Sequence, residues 1–257
     1  MIDARAVIDP TARLAADVTV GPFSVIGPQV EIEAGTWIGP HVVIQGPTRI
    51  GRDNRIFQFA SLGEMPQDKK YGGEPTRLEI GDRNTIREFV TINRGTTQDT
   101  GLTRLGDDNW IMAYVHIAHD CWVGDRTIFA NGASLAGHVH MEDDVVLGGF
   151  ALVYQFTRLG MHSFCGFACG VHRDVPPYVT VAGYRAEPHG INAEGLRRRG
   201  FADEEIQAIR RAYKVIYRAN LRLEEAIDQV REMMRDHPRL QILADFLAAP
   251  SRNGIVR

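Results

Sequence analysis

The strongest constraint on the fold is an aliphatic residue that recurs at every sixth position. Beginning at residue 2, eleven successive sixth positions are Ile, Leu or Val, and the register runs to Leu62. The register pauses over residues 63–79, resumes at Ile80, pauses again over 94–104 and then continues to Val171. The two uninterrupted stretches are Ile2, Ile8, Leu14, Val20, Ile26, Ile32, Ile38, Ile44, Ile50, Ile56 and Leu62, then Leu105, Ile111, Ile117, Val123, Phe129, Leu135, Met141, Leu147, Val153, Leu159, Cys165 and Val171.

A period of six matches neither a 3.6-residue helix nor an ordinary alternating strand. It is typical of a short strand followed by a tight turn, repeated around a triangular prism so that three hexads form one 18-residue coil. The aliphatic residue fills the interior, and a small or β-branched residue four places later fits the corner. Glycine accounts for 26 of 257 residues, above the usual ~7%, because such turns need permissive backbones. The repeat therefore predicts a parallel β-helix.

Charge and cysteine content exclude several classes of protein. Thirty-two acidic residues against 29 Lys and Arg give a formal net charge of −3, which does not favour nucleic-acid binding. No apolar stretch reaches the ~18 residues of a membrane span, and residues 1–5 do not resemble a signal peptide. Cys121, Cys165 and Cys169 occupy inward hexad positions, so we expect structural thiols rather than metal ligands or nucleophiles. These features predict a reduced, cytoplasmic protein.

The repeat ends after Val171, and a helical pattern follows. Asn192 is a candidate helix N-cap, with Gly200 as the stop. Apolar spacing predicts further helices over 202–217, 223–234 and 240–247. We therefore expect a β-helix over residues 1–190, with inserted loops near 63–79 and 94–104, and a helical domain over 191–257. Insertions into a repeat commonly carry binding residues on one face.

Residues 18 apart should stack from coil to coil, and one such column carries polar chemistry. His119, Gly137 and Gln155 form it, with Asp120 beside the histidine. An imidazole base, an orienting carboxylate and a free backbone N–H suit acyl transfer. Two other interpretations remain open at this point: a solvated prism face rich in histidine, or a zinc site using His116 and His119. Likewise, Arg197–Arg199 is either a phosphate or acidic-partner site or a solvated helix face.

Three motifs carry a resemblance to a known family. The segments HIAHDC at 116–121, LAGHV at 135–139 and GLRRRGF at 195–201 closely resemble the UDP-N-acetylglucosamine O-acyltransferases of Gram-negative lipid A synthesis, and the likeness covers essentially the whole chain. The resemblance implies a left-handed β-helix and transfer of an (R)-3-hydroxyacyl group from acyl carrier protein to the 3-hydroxyl of UDP-N-acetylglucosamine. It also implies a homotrimer with clefts between subunits, and no metal or cofactor beyond the carrier's phosphopantetheine arm.

The resemblance assigns roles by position. His119 is the implied general base, Asp120 supports it, and the Gly137 N–H stabilises the oxyanion. The remaining implied positions are His116, His138 and Gln155 lining the cleft, Asp68 and Lys70 contacting the sugar nucleotide, and Asn192, Glu194, Arg198 and Arg199 on the nucleotide and pantetheine side.

The chain departs from the family pattern at three positions. Tyr154 and Asn93 stand where the family commonly has His, and Phe167 stands at the acyl-chain stop, where Gly or Met is common. A bulky side chain at this position predicts a donor acyl chain shorter than fourteen carbons, plausibly ten to twelve. Three competing classes of protein predict different features. A sister N-acyltransferase should carry an extra N-terminal domain, a carbonic-anhydrase-like enzyme should carry zinc, and a non-catalytic scaffold should not align His119, Gly137 and Gln155.

Overall fold

The computed structural model describes residues 1–257 as a left-handed parallel β-helix followed by helices. Three sheets form the faces of the prism, and each coil passes through sheets 1, 2 and 3 in turn. Sheet 1 contains Val7–Ile8, Val25–Ile26, Val43–Ile44, Ser61–Glu64, Thr91–Asn93, His116–Ile117, Ser134–Leu135, Leu152–Val153 and Gly170–Val171. Sheet 2 contains Arg13–Leu14, Val30–Ile32, Thr48–Ile50, Arg77–Ile80, Leu102–Leu105, Trp122–Val123, His140–Met141 and Arg158–Leu159. Sheet 3 contains Thr19–Val20, Trp37–Ile38, Arg55–Ile56, Thr85–Ile86, Trp110–Ile111, Ile128–Phe129, Val146–Leu147, Phe164–Cys165, Val179–Ala182 and Glu187–Ile191.

The hexad register determines which side chains point inward. In sheet 1, Ile117 pairs with Leu135, which pairs with Val153, so residues 18 apart lie directly above one another. All three are buried, and the free thiols of Cys121, Cys165 and Cys169 are buried too. Burial raises the pKa of the Cys121 thiol, which keeps it protonated and unreactive. The prediction of structural cysteines is confirmed.

The first coil does not follow the burial that the register predicts. Ile2 is 50% exposed, and Ile8 and Leu14 are only half-buried. Each inner residue of a β-helix is covered by the coils on both sides of it, and the first coil has a neighbour on one side only. The inward positions are therefore fully buried only from Val20 onward.

Both inserted loops are shorter than predicted. The strands Arg77–Ile80 and Leu102–Leu105 extend into the segments that were expected to be irregular, so the loops cover 65–76 and 94–101. Leu78 pairs with Thr48 and with Thr103, and it is fully buried at the corner position of its coil. The repeat thus resumes at Leu78, two residues before the aliphatic Ile80.

Four α-helices and a 3-10 turn follow the prism. They are α1 (Ala193–Arg198), α2 (Asp203–Arg218), α3 (Leu223–Met234), the turn Pro238–Leu240 and α4 (Gln241–Ala248). Asn192 caps α1 by accepting the Gly195 N–H at 3.1 Å, and Gly200 takes a positive φ just after it, as predicted. None of these helices combines the length and the apolar character that a bilayer span requires. The domain boundary at residue 190 stays a prediction, and the last strand ends one residue beyond it.

Candidate active site

A cavity of about 560 Å³ opens at the corner between sheets 1 and 2. Prism residues form its floor, and both inserted loops and the C-terminal segment form its walls. Of the residues predicted from the sequence it gathers His116, His119, Gly137, His138, Gln155, Asp68 and Lys70 around one space. Gln67, Asp68 and Lys70 of the first loop and Gln98 of the second loop therefore reach the corner that carries the histidines, as expected for insertions in a repeat.

The polar column at this corner has the predicted register. His119 and Gly137 lie in successive coils, and the His138 N–H donates to the His119 carbonyl at 3.1 Å. The Gly137 position is so close to the imidazole that an added Cβ would lie 2.6 Å from His119 Cε1. Gly137 is thus the residue that leaves room for the ring. Its own N–H donates to no group in the chain.

A carboxylate orients His119. The Nδ1 of His119 lies 2.8 Å from Asp120 Oδ2, and the Asp120 side chain is fully buried. With the Nδ1 proton donated to that carboxylate, the Nε2 lone pair faces the cavity and can accept a proton.

The second inserted loop holds Asp120 in place. The Thr96 N–H donates to Asp120 Oδ1 at 2.8 Å, and the Thr96 hydroxyl donates to Oδ2 at 2.6 Å. On the strand that follows this loop, Thr103 Oγ1 accepts the Asp120 N–H at 2.8 Å. Burial would raise the pKa of the Asp120 carboxyl, but hydrogen bonds from His119 and Thr96 together outweigh it and hold the pKa below its usual value. The carboxylate therefore stays charged beside the imidazole.

The other two histidines of the cavity have partners of their own. His116 Nδ1 is 2.7 Å from the Thr91 hydroxyl, and burial, with a smaller contribution from His119, lowers the pKa of His116. His138 Nδ1 is 2.9 Å from Asp99 Oδ2. His138 also stacks on Phe156 at 4.4 Å and meets His119 edge-on at 5.1 Å. These contacts fix both rings at the edge of the cavity.

One group in this cavity has ligand types that suit zinc. His119, Asp120 and His138 each place a donor atom within 4.8 Å of the others. Of the two histidines that the zinc hypothesis used, His119 belongs to this group and His116 does not. His119 Nδ1 and Asp120 Oδ2 are already hydrogen-bonded to each other. This arrangement leaves His119 Nε2 as the free ring nitrogen, which suits a base.

The remaining predicted binding residues lie on another face of the same chain. Asn192, Glu194, Arg198 and Arg199 line a separate cavity of about 790 Å³ against sheet 3. Arg199 forms an ion pair with the buried Asp144, and exposed Arg198 lies 3.1 Å from Glu194. Within one chain these residues are not brought together with His119.

Two of the noted departures from the family pattern also lie outside the His119 cavity. Tyr154 lines a neighbouring cavity of about 590 Å³ on sheet 1, which reaches the first cavity at Ala136. Phe167 lies at the opposite edge of sheet 1, is 73% exposed, and covers Gly149 as the register predicts. The third departure, Asn93, is buried and does line the His119 cavity.

Sequence reasoning missed several residues of the site. Thr96, which fixes Asp120, lies in an insertion that was predicted to carry binding residues, but nothing in the sequence singled it out. Asp99 and Phe156 contact His138. Arg252 enters the cavity from a segment about 100 residues beyond Gln155, and no motif or period marks it.

An imidazole oriented by a carboxylate, next to an unpaired backbone N–H on a prism of hexads, defines the class of hexapeptide-repeat acyltransferases. Comparisons with known proteins agree with this class. The family model described as "Udp N-acetylglucosamine O-acyltransferase; Domain 2" matches residues 174–256, and "Bacterial transferase hexapeptide (six repeats)" matches residues 103–137.

Relatives and solved structures specify the family. An acyl-[acyl-carrier-protein]–UDP-N-acetylglucosamine O-acyltransferase of Herminiimonas arsenicoxydans is 60% identical over 261 residues, covering 100% of this chain and 99% of the relative. LpxA from Acinetobacter baumannii superposes with a TM-score of 0.97 at 49% identity, covering 100% of this chain and 99% of that one. UDP-N-acetylglucosamine acyltransferase of Francisella novicida superposes with a TM-score of 0.97 at 43% sequence identity, covering 100% of this chain and 94% of that one. The chain belongs to the UDP-N-acetylglucosamine O-acyltransferase family.

Proposed function

We propose that this enzyme transfers an (R)-3-hydroxyacyl group from acyl carrier protein to the glucosamine 3-hydroxyl of UDP-N-acetylglucosamine, the first step of lipid A synthesis. The names of its relatives give the two substrates. The observation that carries the reaction is the pairing of His119 with Asp120 beside the unpaired N–H of Gly137.

The proposed chemistry begins with proton removal by His119. Its Nε2 takes the proton of the sugar 3-hydroxyl while Asp120 stabilises the imidazolium through Nδ1. The sugar oxygen attacks the thioester carbonyl, and the Gly137 N–H donates to the resulting oxyanion. Collapse of this intermediate breaks the C–S bond, and the imidazolium returns its proton to the leaving thiolate. The products are the 3-O-acyl sugar nucleotide and the free carrier thiol.

The walls of the cavity supply the proposed substrate contacts. Lys70 forms no ion pair in the chain, so its ammonium is available to a phosphate of the sugar nucleotide. Asp68, His116, His138 and Gln155 add acceptors and donors for sugar hydroxyl and amide groups. A carrier-bound donor and three buried free thiols suit the cytoplasm, where we propose the reaction takes place.

We propose that the protein works as a homotrimer. The cavity lined by Arg198 lies on sheet 3, and within one chain it is separate from the cavity that contains His119. In a threefold assembly, sheet 3 of one subunit would face the corner of the next subunit that carries His119, so the two cavities would adjoin. Exposed stacked rings at the corner between sheets 3 and 1 support such packing, because an exposed apolar ridge of this length marks a contact surface. Successive ring centroids are 4.9–5.4 Å apart along Phe23, His41, Phe59, Phe89 and Tyr114.

The cavity on sheet 1 suits the acyl chain. It joins the His119 cavity at Ala136, and apolar side chains such as Leu152 and Tyr184 line it. Phe167 stands at the far edge of the same sheet, where its ring meets Phe150 edge-on at 6.0 Å. We propose that Phe167 limits the donor to ten to twelve carbons, because each excluded CH₂ forfeits about 0.8 kcal/mol of burial.

The test is incubation of the purified protein with UDP-N-acetylglucosamine and a series of 3-hydroxyacyl carrier proteins, read by mass spectrometry. A product heavier by one hydroxyacyl group, which mild alkali returns to the starting mass, identifies an ester and supports the proposal. Metal analysis runs on the same sample. Stoichiometric zinc with no acyl transfer would instead favour a carbonic-anhydrase-like zinc enzyme.

A further inference from the structure

The C-terminal segment 250–257 is fixed along the end of the prism. The Asp174 N–H donates to the Gly254 carbonyl at 2.8 Å, and the Val256 N–H donates to the Asp174 carbonyl at 2.9 Å. Ile255 and Val256 are buried. The Asn253 amide donates to the Gln155 carbonyl at 3.1 Å, next to the active-site column. The segment therefore has a defined position beside the cavity rather than a free tail.

This segment places a cation in the wall of the His119 cavity. The guanidinium carbon of Arg252 lies 3.7 Å from the centre of the Phe156 ring, and Phe156 stacks in turn on His138. Stacking on an aromatic face holds a guanidinium flat and leaves its in-plane N–H donors open. No carboxylate lies within ion-pair distance of Arg252, and it donates no hydrogen bond within the chain.

Two other stacked arginines have an acidic partner. Arg158 lies over Phe246 and Arg239 over Phe201, and each also pairs with a carboxylate, Asp174 and Glu205 respectively. Their charge is neutralised by the protein. Arg252 has the same stacked geometry with no acid, and the second unpaired cation of its cavity is Lys70. Two uncompensated cations in a polar cavity favour an anionic ligand.

We propose that Arg252 binds a substrate phosphate in the His119 cavity, which Lys70 also lines. This inference rests on the proposed function, which supplies two phosphate sources: the diphosphate of the sugar nucleotide and the phosphodiester of the carrier's phosphopantetheine arm. Arg252 takes no part in proton transfer. Its contact anchors a part of the substrate that does not react, so it contributes to KM and leaves kcat unchanged.

The test compares Arg252→Ala and Arg252→Lys with wild type. Arg104→Ala is the matched control, because Arg104 is also exposed, unpaired and stacked, over Trp122 at 4.6 Å on sheet 2 outside the cavity. KM and kcat are measured for UDP-N-acetylglucosamine, and for 3-hydroxyacyl thioesters of 4′-phosphopantetheine and of pantetheine. We expect Arg252→Ala to raise one KM about tenfold, which equals about 1.4 kcal/mol, with kcat within twofold. Arg252→Lys should recover part of the loss, and Arg104→Ala should behave as wild type.

The donors separate the two phosphate sources. If wild type prefers the phosphorylated thioester and Arg252→Ala loses that preference, Arg252 binds the arm. If the preference is kept and KM for the sugar nucleotide rises, it binds the nucleotide diphosphate. Wild-type values of every KM in Arg252→Ala would overturn the inference while leaving the proposed function intact. Absence of product with wild type would overturn the proposed function itself.

Discussion

Replacing Gly137 with Ala tests the geometry of the reaction centre with one methyl group. An added Cβ would lie 2.6 Å from His119 Cε1 and 2.8 Å from Nε2, whereas ordinary contacts begin at 3.4 Å. The imidazole must therefore move by about 0.8 Å or tilt away from its present position. Gly137 does not have a positive φ, so its backbone accepts Ala without strain and the fold should persist.

The expected loss follows from that displacement. A misplacement of about 1 Å costs on the order of 10²-fold in rate, and obstruction of an oxyanion donor costs 10²–10³-fold. We expect kcat/KM to fall by at least about 10²-fold in the mass-spectrometric transfer assay, with an unchanged melting temperature. Gly149→Ala is the matched control, since it occupies the same hexad position and its added Cβ would meet Phe167 at an ordinary 3.4 Å. Gly137→Ala activity within threefold of wild type would refute the proposed arrangement of His119 and the Gly137 N–H.

Three further predictions concern the edges of the site and the helical region. Phe167→Gly should shift donor preference toward longer chains, and an unchanged chain-length profile would remove Phe167 from that role. Arg198→Ala should weaken substrate binding and leave the free energy of unfolding within ~0.5 kcal/mol of wild type. Arg199→Ala should lower the free energy of unfolding by about 1 kcal/mol, because it removes one of the two arginines that pair with buried Asp144, the other being Arg126. Equal effects of the two substitutions in denaturant titrations would contradict this difference. Burial lowers the pKa of His162 to about 4 in the folded protein. Between pH 4 and about 6.5, His162 is therefore protonated in the unfolded chain but largely neutral in the folded one. Stability should therefore decline as pH falls through that window, by at most about 3 kcal/mol, and His162→Gln should flatten the dependence of the urea midpoint on pH.

The six-residue period predicted most of the prism because each coil repeats the same pattern of inward and corner residues. Wherever a coil has neighbours on both sides, the aliphatic residue of a hexad, such as Ile117, and the small residue four places later, such as Cys121, are both buried. The same rule predicted the column of His119 and Gly137, since a strict 18-residue spacing becomes a vertical stack. It failed at Ile2, where the stack ends, and at Leu78, where a large side chain fills a corner that usually holds a small one.

The rest of the site depends on contacts that no period encodes. Thr96 reaches Asp120 because a loop folds back across the corner, and Arg252 arrives from the far end of the chain. The family resemblance assigned Arg198 and Arg199 one shared role, but their contacts in the structure differ. A buried carboxylate, Asp144, already pairs with Arg199, while Arg198 remains exposed. Such differences arise from tertiary burial and cannot be seen in a run of three arginines.

The central claim is that His119 removes the proton from the attacking hydroxyl, and single-turnover acyl transfer by His119→Ala tests it most directly. The reaction uses excess enzyme, saturating UDP-N-acetylglucosamine and a 3-hydroxyacyl carrier protein, with His140→Ala as control because His140 stacks on Trp122 on sheet 2, outside the cavity. We predict that the His119→Ala rate falls by about 10²–10⁴-fold while circular dichroism and the His140→Ala rate match wild type. A His119→Ala rate within a few-fold of wild type would contradict the account.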